Sequence, residues 1–89
     1  MQEEQEPLLK FPCSFPIKAM GKAVEDFDAV VVSIIRKHAP DFNDSTIQTR
    51  LSKGGQYVSV TVTIKARSRQ QLDNIYQDLT DHEQVLVAL

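Results

Sequence analysis

Gln56-Tyr57-Val58-Ser59-Val60-Thr61-Val62-Thr63-Ile64-Lys65-Ala66 alternates without a break. Val58, Val60, Val62 and Ile64 point one way, and Tyr57, Ser59, Thr61, Thr63 and Lys65 point the other. Nearly every residue is β-branched or aromatic, the composition that suits a pleated sheet. One side of this strand is apolar and the other carries short hydroxyls, so the rest of the chain must cover the first and has no need to cover the second.

Working outward, Gly54-Gly55 is a hairpin turn signal. Before it, Ser45 to Lys53 alternates weakly, with Ile47 and Leu51 against Gln48 and Arg50, which suits an edge strand. Further back, Ser14 to Met20 sets Phe15, Ile17 and Ala19 against Pro16, Lys18 and Met20, and Gly21 is expected to end that strand. From Lys22 to Ala39 the period changes. Val24, Phe27, Val31, Ile34, Ile35 and His38 fall three and four apart on one helical face. Glu25, Asp26 and Asp28 come early and Arg36 and Lys37 late, as the helix dipole favours. Pro40 disfavours helical geometry at Ala39 and stops the run. After the long strand, Ser68-Arg69-Gln70-Gln71 has the form of a capping box. Leu72, Ile75, Tyr76 and Leu79 then give a second amphipathic helix to about Thr80. Gln84 to Leu89 closes with Val85, Val87 and Leu89 alternating with Leu86 and Ala88.

The order is strand, helix, strand, strand, helix, strand. Two helices on one face of a four-stranded sheet bury all the apolar stripes together. Right-handed crossovers then give an α+β, ferredoxin-like βαββαβ plait, with an antiparallel sheet in the order 4-1-3-2. Phe15, Ile17, Phe27, Ile34, Val60, Val62, Ile75 and Leu79 form the expected core. Residues 11–89 make a single domain, and residues 1–10, acidic and carrying Pro7, read as a flexible arm. The outer side of the sheet is expected to show Lys18, Met20, Gln48, Arg50, Ser59, Thr61, Thr63, Lys65 and Leu86.

Composition narrows the function classes. The 89 residues carry 10 Lys and Arg against 12 Asp and Glu, a formal charge of -2, where nonspecific nucleic-acid binders are strongly basic. The single cysteine allows no internal disulfide and favours a reducing compartment. No apolar run approaches the roughly 20 residues a membrane helix needs, and the start lacks the pattern of a signal peptide, so a cytoplasmic protein off the membrane is expected.

The chemically suggestive residues have simpler readings. Cys13 has no nearby base in the sequence and reads as a small packing residue. His38 reads as a carbonyl cap at a helix end and His82 as a solvated turn residue. One cysteine and two separated histidines make no zinc pattern. Asp41, Asn43 and Asp44 lack the glycine and closing glutamate of a calcium loop and read as a turn cluster. No metal or other cofactor is expected. Met20-Gly21 ahead of a helix could bring a ligand to backbone N–H groups, although a plain turn glycine is the simpler reading. Acyl-phosphate hydrolysis on this plait would need an arginine in that turn and an asparagine to orient water, and Met20-Gly21-Lys22-Ala23 offers neither, so no enzymatic activity is expected. RNA binding by a plait uses aromatics on the central strands, where this chain has Lys18, Ser59, Thr61 and Thr63.

Phe11-Pro12-Cys13-Ser14-Phe15-Pro16-Ile17-Lys18-Ala19-Met20-Gly21 resembles the opening of the YbeD-like family of small bacterial proteins. Arg36 to Pro40 resembles that family's first-helix ending, Gly55 to Val62 its third-strand pattern, and Gln71 to Leu79 its second helix. The resemblance implies the same plait, a bacterial cytoplasmic setting, and a similarity to ACT-type regulatory domains, which bind small effectors beside the loop after the first strand. It carries no catalytic residue with it. It points to Lys18, Met20, Gly21 and Lys22 as candidate ligand-binding residues.

The expectation is a non-enzymatic regulatory or adaptor domain that binds a small metabolite at that loop or a protein partner. The partner would use Arg50, Ser59, Thr61 and Thr63 on the sheet face or an edge strand, and self-association is open to it. The alternative is nucleic-acid binding through Lys18, Arg50, Lys65 and Arg67.

Overall fold

A computed structural model describes residues 10–89. The acidic arm expected at residues 1–10 lies outside the described residues except for Lys10, which is exposed. The elements run β1 (Cys13–Lys22), α1 (Phe27–His38), a 3-10 turn (Asp44–Thr46), β2 (Gln48–Leu51), β3 (Tyr57–Ala66), α2 (Arg69–Asp81) and β4 (Val87–Ala88). The sheet order is β2-β3-β1-β4, the plait expected from the sequence, and every strand pair is antiparallel.

β1 and β3 are each ten residues long and pair along their whole length, from Cys13 opposite Ala66 to Lys22 opposite Tyr57. This register turns Ile17, Ala19, Val58, Val60, Val62, Ile64 and Ala66 to one side, all of them buried. Phe27, Val31 and Ile35 of α1 and Leu72, Ile75 and Leu79 of α2 close over them. No polar or charged side chain is buried among the described residues. The fold therefore rests on apolar burial, at roughly 25 cal/mol for each Å² removed from water.

Five local expectations are corrected. Gly21 does not end β1, which continues through Gly21 opposite Val58 and Lys22 opposite Tyr57. The helix consequently starts at Phe27 rather than Lys22, and Val24 is exposed in the connecting loop. Ile34 packs at the edge of the core while its neighbour Ile35 is fully buried, the buried stripe running at spacings of four through Phe27, Val31 and Ile35. β2 is shorter than expected. Ser45 and Thr46 belong to the 3-10 turn, capped by the Asn43 side chain accepting from Ser45 N at 2.9 Å. In β4, Val87 lies opposite Met20, and Lys18 and Leu89 exchange both backbone hydrogen bonds. Val87 and Leu89 therefore share the outer side with Met20 and Lys18, the side on which Leu86 was expected.

Two signals hold as read. Gly55 sits at φ +74°, and its N–H donates to Ser52 O at 2.9 Å in the turn before β3. Ser68 Oγ accepts from Gln71 N at 3.1 Å, while Gln71 Oε1 accepts from Arg67 N, one residue outside the expected box. The Gln71 amide also donates to His38 O at 2.9 Å, tying the start of α2 to the end of α1.

Candidate functional site: the outer side of the sheet

Both helices lie on the side of the sheet that holds the buried residues, and no described element packs over the other side. Its rows follow from the register. Arg50, Ser59, Met20 and Val87 run across β2, β3, β1 and β4 in one row, and Gln48, Thr61, Lys18 and Leu89 run across the next. Thr63 opposite Pro16 and Lys65 opposite Ser14 continue the face at one end. Lys22 opposite Tyr57 closes it at the other.

The charge on this face has one sign. The strands carry Lys18, Lys22, Arg50 and Lys65 and no carboxylate. Lys18, Gln48, Thr49, Arg50, Ser59 and Thr61 line a polar hollow of about 240 Å³. Two cations flank hydroxyls there, an arrangement that favours an anionic group over a neutral one. The cations on the helical side are different. Arg36 pairs with Asp44 at 2.6 Å and stacks over the Phe42 ring at 4.4 Å from its centroid. Arg67 pairs with Asp41. Arg67 is thus engaged by a carboxylate and does not join the cations of the sheet face, which removes one of the four residues named for nucleic-acid binding.

The candidate ligand residues divide. Lys18 and Met20 belong to the outer face. Gly21 is buried, six residues before Phe27 at the start of α1, and adds no N–H to a helix N-terminus. An added Cβ at Gly21 would lie 2.3 Å from Gln84 O and 2.5 Å from Phe27 Cε1, so glycine here allows strand and helix to approach. Lys22 lines a separate depression of about 370 Å³ with Val24, Glu83, Gln84 and Leu86. Sequence reasoning did not reach the last four because they lie in two loops that only the fold brings together.

Cys13 and the two histidines are engaged within the fold. Cys13 is half-buried and packs against the core. No group of three or more potential metal ligands occurs among the described residues. His82 is half-buried rather than solvated, with Nδ1 accepting from Gln84 N at 3.2 Å. His38 does not cap a carbonyl with its ring. Its Nε2 hydrogen-bonds Asp78 Oδ2 at 2.6 Å, bridging the two helices. That hydrogen bond, with the nearby charges of Lys37 and His38, holds the Asp78 carboxyl below the usual carboxylate range. A carboxylate with a lowered folded-state pKa stabilises above its unfolded pKa and loses that contribution as pH falls through the lowered value. Asp78→Asn should therefore lower the melting temperature at pH 7, by a difference that shrinks as the pH is taken down through the acid range. Thermal melts of the two proteins across that range check this, and a constant offset at every pH would contradict it.

Residues 6–89 match the family described as "Protein of unknown function (DUF493)". The chain belongs to this family. It is 49% identical over 85 residues to the UPF0250 protein NE1487 of Nitrosomonas europaea, covering 96% of this chain and 98% of that one. It is 44% identical over 89 residues to a UPF0250 protein of Chromobacterium violaceum, with both chains covered completely. The solution structure of protein HP0495 from H. pylori superposes with a TM-score of 0.73, covering 98% of this chain and 91% of that one at 13% identity. At that identity the likeness speaks to the fold, and it agrees with the α+β plait. These relatives bear out the resemblance to the YbeD-like proteins. None of their names assigns a reaction, ligand or partner. No described helix is long and apolar enough to cross a membrane.

Proposed function

We propose that this member of the DUF493 family is a non-enzymatic adaptor or regulatory domain of the bacterial cytoplasm that binds a protein partner through the outer side of its sheet. The observation that supports this reading is the bare face on which Lys18 and Arg50 flank Ser59 and Thr61, next to Met20 and Thr63, with no carboxylate on any strand. The strands offer this face two aromatic residues at most, and of these Phe15 points inward, which leaves Tyr57. That is a poor stacking platform for nucleic acid.

Charge reversal tests the reading. Lys18→Glu with Arg50→Glu alters two exposed side chains and should change stability by no more than about 1 kcal/mol. A protein that co-purifies with the parent from the native cell should be lost with the double variant while the thermal melt holds. Equal recovery by both proteins would refute the assignment to this face.

A second reading, a small metabolite in ACT-like fashion, is favoured by the depression at Lys22, Val24, Glu83, Gln84 and Leu86 beside the end of β1. Titration of amino acids and nucleotides followed by amide chemical shifts separates the two. Perturbation confined to residues 20–24 and 83–86 would support the metabolite, and silence there would count against it.

A further inference from the structure

The open edge of β2 lies between two unlike surfaces. Ser52 N donates to Tyr57 O at 2.8 Å, and Arg50 and Gln48 stand opposite Ser59 and Thr61 in the same antiparallel ladder. Hydrogen-bonded positions alternate along such a ladder. Residues 48, 50 and 52 therefore bond inward to β3, and the N–H and C=O groups of Thr49 and Leu51 face away from the sheet. The opposite edge, β4, has only two residues. All four residues of β2 are exposed. On the outer side of this edge lies the cationic hollow of Lys18, Arg50, Ser59 and Thr61. On the inner side, beside the start of α1, lies a groove of about 290 Å³ where Val24, Phe27, Leu51 and Val58 are joined by the carboxylates of Glu25 and Asp28, so this side takes apolar side chains and not acidic ones.

We propose that β2 is a strand-addition site for an extended segment of a partner protein in which acidic and apolar residues alternate. Period-two geometry sends alternate side chains of an added strand to opposite faces. The acidic set would meet Arg50 on the strand it pairs with, Lys18 lying two strands further in, and the apolar set would enter the groove beside Val24 and Leu51. The inference rests on the adaptor reading above and names the partner's chemistry. A second copy of this chain complements the edge less well, since it offers no acidic residue to Arg50. β2 carries Arg50 and no carboxylate, so pairing it antiparallel with itself leaves both guanidinium groups on one face without a counter-charge, and sets them opposite each other when the pairing centres on Arg50.

The test uses the full chain and a capped hexapeptide of alternating glutamate and valine, with the lysine-valine counterpart and a single-stranded oligouridine as comparisons. The glutamate peptide should slow hydrogen exchange at the Thr49 and Leu51 amides and shift Arg50 and Ser59. Arg50→Glu should weaken it at least roughly tenfold. Thr49→Pro removes an outward N–H without touching the ladder to β3. It should abolish the protection at Leu51 while leaving the melting temperature close to that of the parent. Shifts on the outer face without slowed exchange at Thr49 and Leu51 would overturn strand addition. So would equal binding of the lysine peptide, or tighter binding of oligouridine. If no peptide binds but a captured protein still depends on Lys18 and Arg50, strand addition fails and the adaptor reading stands. If that dependence is absent as well, both fail.

Discussion

Val60→Asp is expected to leave no folded protein at room temperature. Val60 is fully buried in the middle of β3, opposite Ala19 on one side and Thr49 on the other, and its side chain faces the two helices. No buried polar or charged side chain is present among the described residues to receive a carboxylate. An unpaired buried charge left without compensation costs about 3–5 kcal/mol, and the lost burial of valine adds about 1.5–3 kcal/mol. The total approaches the whole stability of a domain of this size, on the order of 5–10 kcal/mol. Ile35→Asp should behave alike, since Ile35 is also fully buried. Ile34→Asp should not. Ile34 sits at the core's edge, where an aspartate reaches water, and a loss of about 1–3 kcal/mol with a retained transition is expected. Circular dichroism melts of the three variants decide this. A cooperative parent-like transition for Val60→Asp, or the same behaviour for Ile34→Asp and Ile35→Asp, would refute the core described here.

Gly21→Ala tests what the glycine at the end of β1 is for. Its added methyl would meet Gln84 O at 2.3 Å and the Phe27 ring at 2.5 and 2.8 Å. One of these is backbone and the other a fully buried ring, so neither can swing aside as a flexible surface side chain would. Overpacking of this kind costs about 1–3 kcal/mol, which in a domain of this length lowers Tm by roughly 5–20 °C. A glycine kept only to let a ligand approach would show no such loss. A melting temperature for Gly21→Ala within a degree of the parent would therefore restore the ligand-loop reading of Met20-Gly21-Lys22.

The reach of sequence reasoning differs from strand to strand, for physical reasons. Tyr57 to Ala66 was legible because hydroxyls and β-branched apolar residues alternate there, so the two faces differ in chemistry at every step. Val85 to Leu89 was not, because Val85, Val87 and Leu89 alternate with residues equally apolar, and the pattern does not say which set faces inward. The outer side at β4 accordingly shows Val87 and Leu89, 44% and 64% exposed, in place of Leu86. Local period alone extends α1 too far back, because Val24 continues the helical spacing of Phe27 and Val31. The pairing of Lys22 with Tyr57 holds that stretch in the strand instead, and tertiary pairing overrides local period. Of the candidate site, Lys18, Met20, Arg50, Ser59, Thr61 and Thr63 fall on one face as expected, since strand parity alone places them. The groove beside β2 and the depression at Lys22 were beyond reach, because each joins a loop to a strand distant in sequence.

The most direct measurement concerns whether one side of the sheet is bare. A soluble paramagnetic agent relaxes methyl protons in proportion to their contact with solvent. Thr61, Thr63 and Met20 methyls should be relaxed strongly, and those of Val60, Val62 and Ile17 should be nearly untouched. Equal protection of the threonine and valine methyls would mean that the outer side is covered, and the partner surface described here would not exist.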